Sequence, residues 1–240
     1  APLRFTGKEI EFSYRFESSR VAGPQTRVSL TAGNSRYEHL AVPMPGDHQA
    51  INCGLALSLM SVLKERGFEI DDQLAIQGLA KTHLPGRMEI IHENPRIMVD
   101  GAHNAASIEA LMRAIGQNVS YDSMIVIFGC RTDKDVSGML GHIRLGADKM
   151  IFTTTGSPRS TDPTELASEY MERTGKMAQV AMDLEEALDI AERAVTREDL
   201  ICITGSFYLA GLAKQLIVRR YPHPRSQPMH ASRPILVQAM

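Results

Sequence analysis

Four short stretches of this sequence gather side chains able to hold anions, hydroxyl groups or protons. They are Asp100-Gly101-Ala102-His103-Asn104, Gly129-Cys130-Arg131-Thr132-Asp133-Lys134-Asp135, Thr153 to Arg159, and Gly205-Ser206. Each follows an apolar run of strand length. In an open parallel sheet, ligands settle outside the carboxyl ends of the strands, where loops carry no ladder hydrogen bonds and helix amino termini project positive potential. A carboxylate at such a strand end, here Asp100, is suited to accept sugar hydroxyls. Ser206, opening a helix after a glycine, offers a hydroxyl and free amides to a carboxylate. Plainer roles stand beside these. Asp100 would cap the helix that begins near Asn104, Ser206 would cap the last helix, His103 would bond locally, and Asp133, Lys134 and Asp135 would form a solvated ion-pair cluster.

The elements that position these groups are legible from periodicity. From Phe5 to Val42 the residues alternate (Ile10, Phe12, Tyr14, Phe16, then Val28 and Leu30), with turn punctuation at Ala22-Gly23-Pro24 and Gly33-Asn34. A break at Pro43-Met44-Pro45-Gly46 precedes a long helix from His48 to about Arg66, stopped by Gly67. Its apolar residues Ile51, Leu55, Leu59 and Val62 follow helical spacing. A second helix is expected near Asp71 to Lys81, and a β-hairpin over Met88 to Asp100 turning at Asn94-Pro95. Beyond Asp100, strand-length runs at 124–128, 150–154, 178–181 and 200–204 alternate with helices near 105–118, 135–145, 162–174, 183–197 and 206–218. Such alternation predicts about five parallel strands with right-handed crossovers, covered on both faces. Asp162-Pro163-Thr164-Glu165 and Asp183 with Glu186 mark two helix starts. The tail over 221–240 is rich in Pro, Arg, Ser and His and is expected to be flexible. No repeat of fixed period is detected.

Bulk composition narrows the function classes. The 240 residues are 43% hydrophobic and 22% charged, ordinary globular content for one large domain or two small ones. With 26 Lys+Arg against 28 Asp+Glu, no excess positive charge exists to hold a nucleic-acid backbone. Cys53, Cys130 and Cys202 form no C-x-x-C pair or metal-ligand spacing and read as buried thiols in a reducing compartment. No signal peptide is found, nor an apolar run near the ~18 residues that cross a bilayer. A soluble, cytoplasmic protein is expected.

Six motifs in order carry a resemblance: G-D-H-Q-x-x-N (46–52), L-P-G-R-x-E (84–89), D-G-A-H-N (100–104), G-x-x-x-D-K-D (129–135), P-R (158–159) and G-S-x-Y-L (205–209). Their joint order and spacing, spanning Ala1 to about Val218, resembles the folylpolyglutamate and dihydrofolate synthases, relatives of the muramyl peptide ligases. The resemblance implies an α/β protein. Residues 1–84 would be the β-hairpin and helical end of the central ATPase domain, and residues 85–220 the Rossmann-like carboxyl-terminal domain, with a mostly parallel sheet and helices on both faces. It also implies an ATP-dependent ligase that joins L-glutamate to a folate or dihydropteroate carboxylate through an acyl phosphate, acting as a monomer.

The same resemblance assigns roles to residues. Arg87, in a hinge after Pro85-Gly86, would reach a terminal phosphate of ATP; Asp100 would accept the ribose hydroxyls; Asn52 would approach adenine, with Gln49 and His48 nearby. His103 would neighbour the nucleotide at the interdomain cleft, so that Arg87 and His103 are the catalytic candidates. Asp133 and Lys134, with Asp135, would shape the cleft for the incoming amino acid, while Ser206 and Arg159 would anchor its carboxylates. The phosphate loop G-x-x-x-x-G-K-[ST] has no match here, since Gly7-Lys8 is followed by Glu9 and Gly175-Lys176 by Met177. The Mg2+ ligands of such ligases are likewise expected upstream. This polypeptide by itself is therefore expected to be inactive. Two alternatives remain at this point: a peptidoglycan-building ligase of the same superfamily, and a non-catalytic nucleotide-binding or assembly module.

Overall fold

A computed structural model describes residues 3–19, 23–33 and 35–222 of the protein. The amino-terminal part is an antiparallel sheet in the order β1 (Ile10–Ser19), β2 (Gly23–Ala32), β3 (Ser35–Val42), against which α1 (Asp47–Glu65) and α2 (Asp72–Ala80) pack. Its core holds Ile10, Val28, Leu30, Tyr37, Ala50, Cys53 and Leu57. Lys64 donates to Asp72 at 2.6 Å and the Tyr37 hydroxyl also bonds Asp72, tying both helices to β3.

The face that α1 buries is not the one its apolar spacing predicts. Ile51, Leu55 and Leu59 are 53%, 62% and 57% exposed, and Val62 is only half-buried; the buried face is Gln49, Ala50, Cys53, Gly54, Leu57, Ser58 and Ser61. Close approach explains the inversion. The Phe12 ring lies so near Gly54 that a Cβ there would meet it at 2.4 Å, and the Ser61 hydroxyl reaches the Ala32 carbonyl at 2.7 Å. Only small side chains permit that helix-to-sheet distance. Tyr14 and Phe16, expected to alternate inward with Ile10, are likewise exposed.

From residue 89 on, the chain forms a six-stranded sheet in the order β4-β5-β9-β6-β7-β8. These strands are β4 (Glu89–Glu93), β5 (Arg96–Val99), β6 (Met124–Phe128), β7 (Lys149–Phe152), β8 (Gln179–Val180) and β9 (Leu200–Thr204). β4 pairs antiparallel with β5 as the expected hairpin, and all other pairings are parallel. Helices α3 (Ala105–Asn118), α4 (Val136–Ile143) and α5 (Pro163–Thr174) cover one face, burying Met98, Val126, Phe128, Phe152 and Cys202. Helices α6 (Leu184–Ala194) and α7 (Phe207–Arg220) cover the other, over Ile97, Ile127, Ile151 and Ile203. Near-continuous apolar strands are what a sheet buried on both faces requires. Asp162 and Asp183 cap their helices as expected, accepting from the Thr164 and Glu186 amides. The turn residues Ala22 and Asn34 lie outside the described residues, as does the tail from residue 223. Tyr221, assigned to that flexible tail, is held instead: its ring stacks on His92 at 3.9 Å and its hydroxyl donates to Glu192 at 2.8 Å.

Candidate functional site

Asp100, at the carboxyl end of β5, is 5% exposed. One carboxylate oxygen accepts the Met88 amide at 2.9 Å and the other the Ala102 amide at 2.7 Å, so the group is locked in orientation with lone pairs to spare. Burial pushes Asp100 above the ordinary carboxylate range, opposed by those two amides and by the charges of Arg87 and His48. The cap of α3 is Asn104, in a reciprocal box with Ser107, so the capping role considered for Asp100 falls away. His48, in the first turn of α1, has its protonation suppressed by burial, with Asp100 acting against that and Arg87 reinforcing it. A side chain of the amino-terminal helix thus shares the electrostatics of Asp100 and Arg87.

The turn before β4 is joined to the D-G-A-H-N loop by backbone. The Gly101 amide donates to the Gly86 carbonyl at 2.8 Å, and the Gly205 amide to the Ala102 carbonyl at 3.0 Å. Gly86 has φ +69°, and Met88, a non-glycine residue, φ +43°; the strained backbone points its amide at Asp100. The Arg87 guanidinium lies over the Phe207 ring, 4.4 Å from its centroid. His103 sits 5.9 Å from the same ring, its Nδ1 bonded to the Gly101 carbonyl at 2.9 Å, so the local bonding role is realised.

Lys134 and Arg159 occupy the loops after β6 and β7. These loops are stitched together, the Thr132 amide donating to the Arg159 carbonyl at 3.0 Å and the Thr161 amide to the Cys130 carbonyl at 2.9 Å. Asp133 pairs with Arg131 at 2.8 Å and with Lys134 at 3.6 Å, while Asp135 caps α4 through the Gly138 amide. Ser206 is buried and caps α7, accepting the Tyr208 amide at 3.1 Å. Because β9 lies between β5 and β6, Ser206 stands between Asp100 and Lys134 along one rim of the sheet. Among the described residues, no hydrogen bond joins Lys134 or Arg159 to Asp100 or Ser206. Gln49, buried, accepts from exposed Asn52 at 3.2 Å along α1.

Glu89 and Phe207 were given no role by sequence. Glu89 accepts the Gly86 amide at 2.8 Å and pairs with Lys214 of α7 at 2.8 Å; burial works to raise it, but Lys214 and that amide hold it below the ordinary carboxylate range. The signal for both was their place inside the motifs, at the last residue of L-P-G-R-x-E and at the free position of G-S-x-Y-L. Among the described residues no three His, Cys, Asp or Glu side chains gather as a metal site.

A doubly covered, mostly parallel sheet with charged and hydroxyl groups along the carboxyl rim defines an open α/β domain of the class that takes ligands at that rim. The chain belongs to the Mur ligase, glutamate ligase domain family, whose model matches residues 86–207. It is 31% identical over 228 residues to the dihydrofolate synthase/folylpolyglutamate synthase of Mycobacterium tuberculosis, covering 88% of this chain and 46% of that protein. It is 31% identical to the folylpolyglutamate synthase of Lacticaseibacillus casei, covering 91% and 50%. The structure of Mycobacterium tuberculosis folylpolyglutamate synthase complexed with ADP and AMPPCP superposes with a TM-score of 0.77 at 30% identity, covering 91% of this chain and 49% of that one. The chain thus spans about half the length of the curated relatives it matches. Among the described residues no helix is long and apolar enough to cross a membrane.

Proposed function

We propose that this chain supplies the glutamate-side half of a cytoplasmic, monomeric ATP-dependent ligase that extends a folate or dihydropteroate carboxylate with L-glutamate. Residues 1–84 would complete an ATPase domain and residues 85–220 would form the glutamate-ligase domain. In the proposed reaction the substrate carboxylate attacks the γ-phosphorus of ATP and ADP leaves. The glutamate amine then attacks the acyl carbon and expels phosphate, leaving an amide. Catalysis of this kind rests on positioning and on neutralising phosphate charge. Asp100 would accept the ribose hydroxyls, Arg87 would face a terminal phosphate, and His103 would line the cleft. Gln49 and Asn52 would approach adenine; Lys134, Asp133, Arg159 and Ser206 would receive glutamate. The exposed apolar stripe of α1 supports a division of labour in which the phosphate-gripping part of the ATPase sits against that face.

The observation that carries this reading is the Asp100 carboxylate, buried, held by two amides and acted on by the charges of Arg87 and His48. Calorimetric titration of the 240-residue chain with ADP tests it. Asp100→Ala and Arg87→Ala should each weaken binding about tenfold, or ~1.4 kcal/mol. Unaltered affinity in both variants would remove the assignment.

A further inference from the structure

Phe207 occupies a position that neither packing nor helix formation demands. It is the first residue of α7, 44% exposed, yet its ring is in contact on several sides. A Cβ at Gly101 would lie 2.3 Å from the ring, and one at Gly86 3.6 Å from it, so both glycines face the aromatic edge. The Arg87 guanidinium covers the ring at 4.4 Å and His103 approaches at 5.9 Å. One side chain therefore touches the hinge, the D-G-A-H-N loop and the start of the helix that Ser206 caps.

We propose that Phe207 is a positioning residue that presets the Arg87 guanidinium toward the nucleotide and couples the hinge to the helix carrying Ser206. The proposal deepens the reading given above and rests on Arg87 facing a phosphate. An arginine side chain free in solvent loses rotamer entropy when a ligand fixes it. A guanidinium already laid on an aromatic face has surrendered part of that freedom before the ligand arrives. The hinge backbone is held independently by the same helix: Lys214, two turns along α7, pairs with Glu89, which accepts the Gly86 amide. Backbone and side chain of the hinge are thus both referred to α7, so a displacement of that helix moves Arg87 with it. A leucine fills the space above Gly101 but offers no π face, which separates cation positioning from simple packing.

The test uses the full chain with 15N,13C-labelled arginine. In wild type the Arg87 side-chain resonances should be displaced upfield by the Phe207 ring current. Phe207→Leu should abolish the displacement and Phe207→Tyr preserve it, with thermal midpoints of all three proteins alike. ADP titration of the same proteins should weaken roughly threefold to thirtyfold in Phe207→Leu, the range of a cation–π contact, and recover in Phe207→Tyr. Arg87 resonances unchanged in Phe207→Leu would overturn the contact. ADP affinity that falls in Arg87→Ala but not in Phe207→Leu would overturn the positioning role and leave the functional reading intact. Affinity unchanged in both Arg87→Ala and Asp100→Ala would instead sink the functional reading on which it rests.

Discussion

Asp100 holds a negative charge where burial disfavours it, and that opposition can be titrated. Its folded-state pKa is raised, so the folded protein binds this proton more tightly than the unfolded chain. The stabilisation from that proton is complete below the unfolded pKa and is lost as pH rises through the folded one. Asp100→Asn forfeits one of the two amide bonds, a cost that does not vary with pH, but carries no such titration. Measured by thermal unfolding from about pH 3 to about pH 7, wild type should lose ground relative to Asp100→Asn as pH rises. A gap between the two proteins that stays flat would mean that the carboxyl titrates as if in water. His48 works in the other direction, since burial suppresses its protonation and the stability linked to its neutral form is lost as pH falls. The fall on the acid side should be absent in His48→Gln, which separates the two groups.

At the level of elements, α1 shows how helix spacing can be read correctly and its buried face misread. The segment is helical where expected, but Gly54 and Ser61 bring it so near the sheet that small residues, not Ile51, Leu55 and Leu59, occupy the inside. Leu57, 1% exposed, is the large side chain that does fill the core. Leu57→Ala should cost about 2–5 kcal/mol in denaturant unfolding, whereas Leu55→Gln and Leu59→Glu should each stay within about 0.5 kcal/mol of wild type. Destabilisation by the latter pair equal to that of Leu57→Ala would place the core on the other face. The parallel-sheet elements behaved differently. Runs such as Ile125-Val126-Ile127 are buried on both sides, so no choice of face arises, and alternation of strand with helix specifies their direction.

For the whole molecule, the functional reading requires a phosphate grip that these 240 residues do not contain as a recognisable loop. Purified to homogeneity and given ATP, glutamate and a folate, a polypeptide of these residues should release phosphate no faster than buffer; sustained turnover would overturn that expectation. The sequence alone was sufficient for the α/β class, the five parallel strands, the caps at Asp162 and Asp183, and the rim on which Asp100, Lys134 and Ser206 stand. Those follow from local periodicity and from connection rules that hold for almost any chain of this pattern. It was not sufficient for the inward face of α1, the electrostatic coupling of His48 with Asp100, or the packing of Phe207 against Gly101 and Arg87. Each of these joins residues far apart in the chain, and depends on how closely two surfaces approach. Approach distance is set by the volumes of side chains on both partners at once, a quantity that no window of neighbouring residues contains.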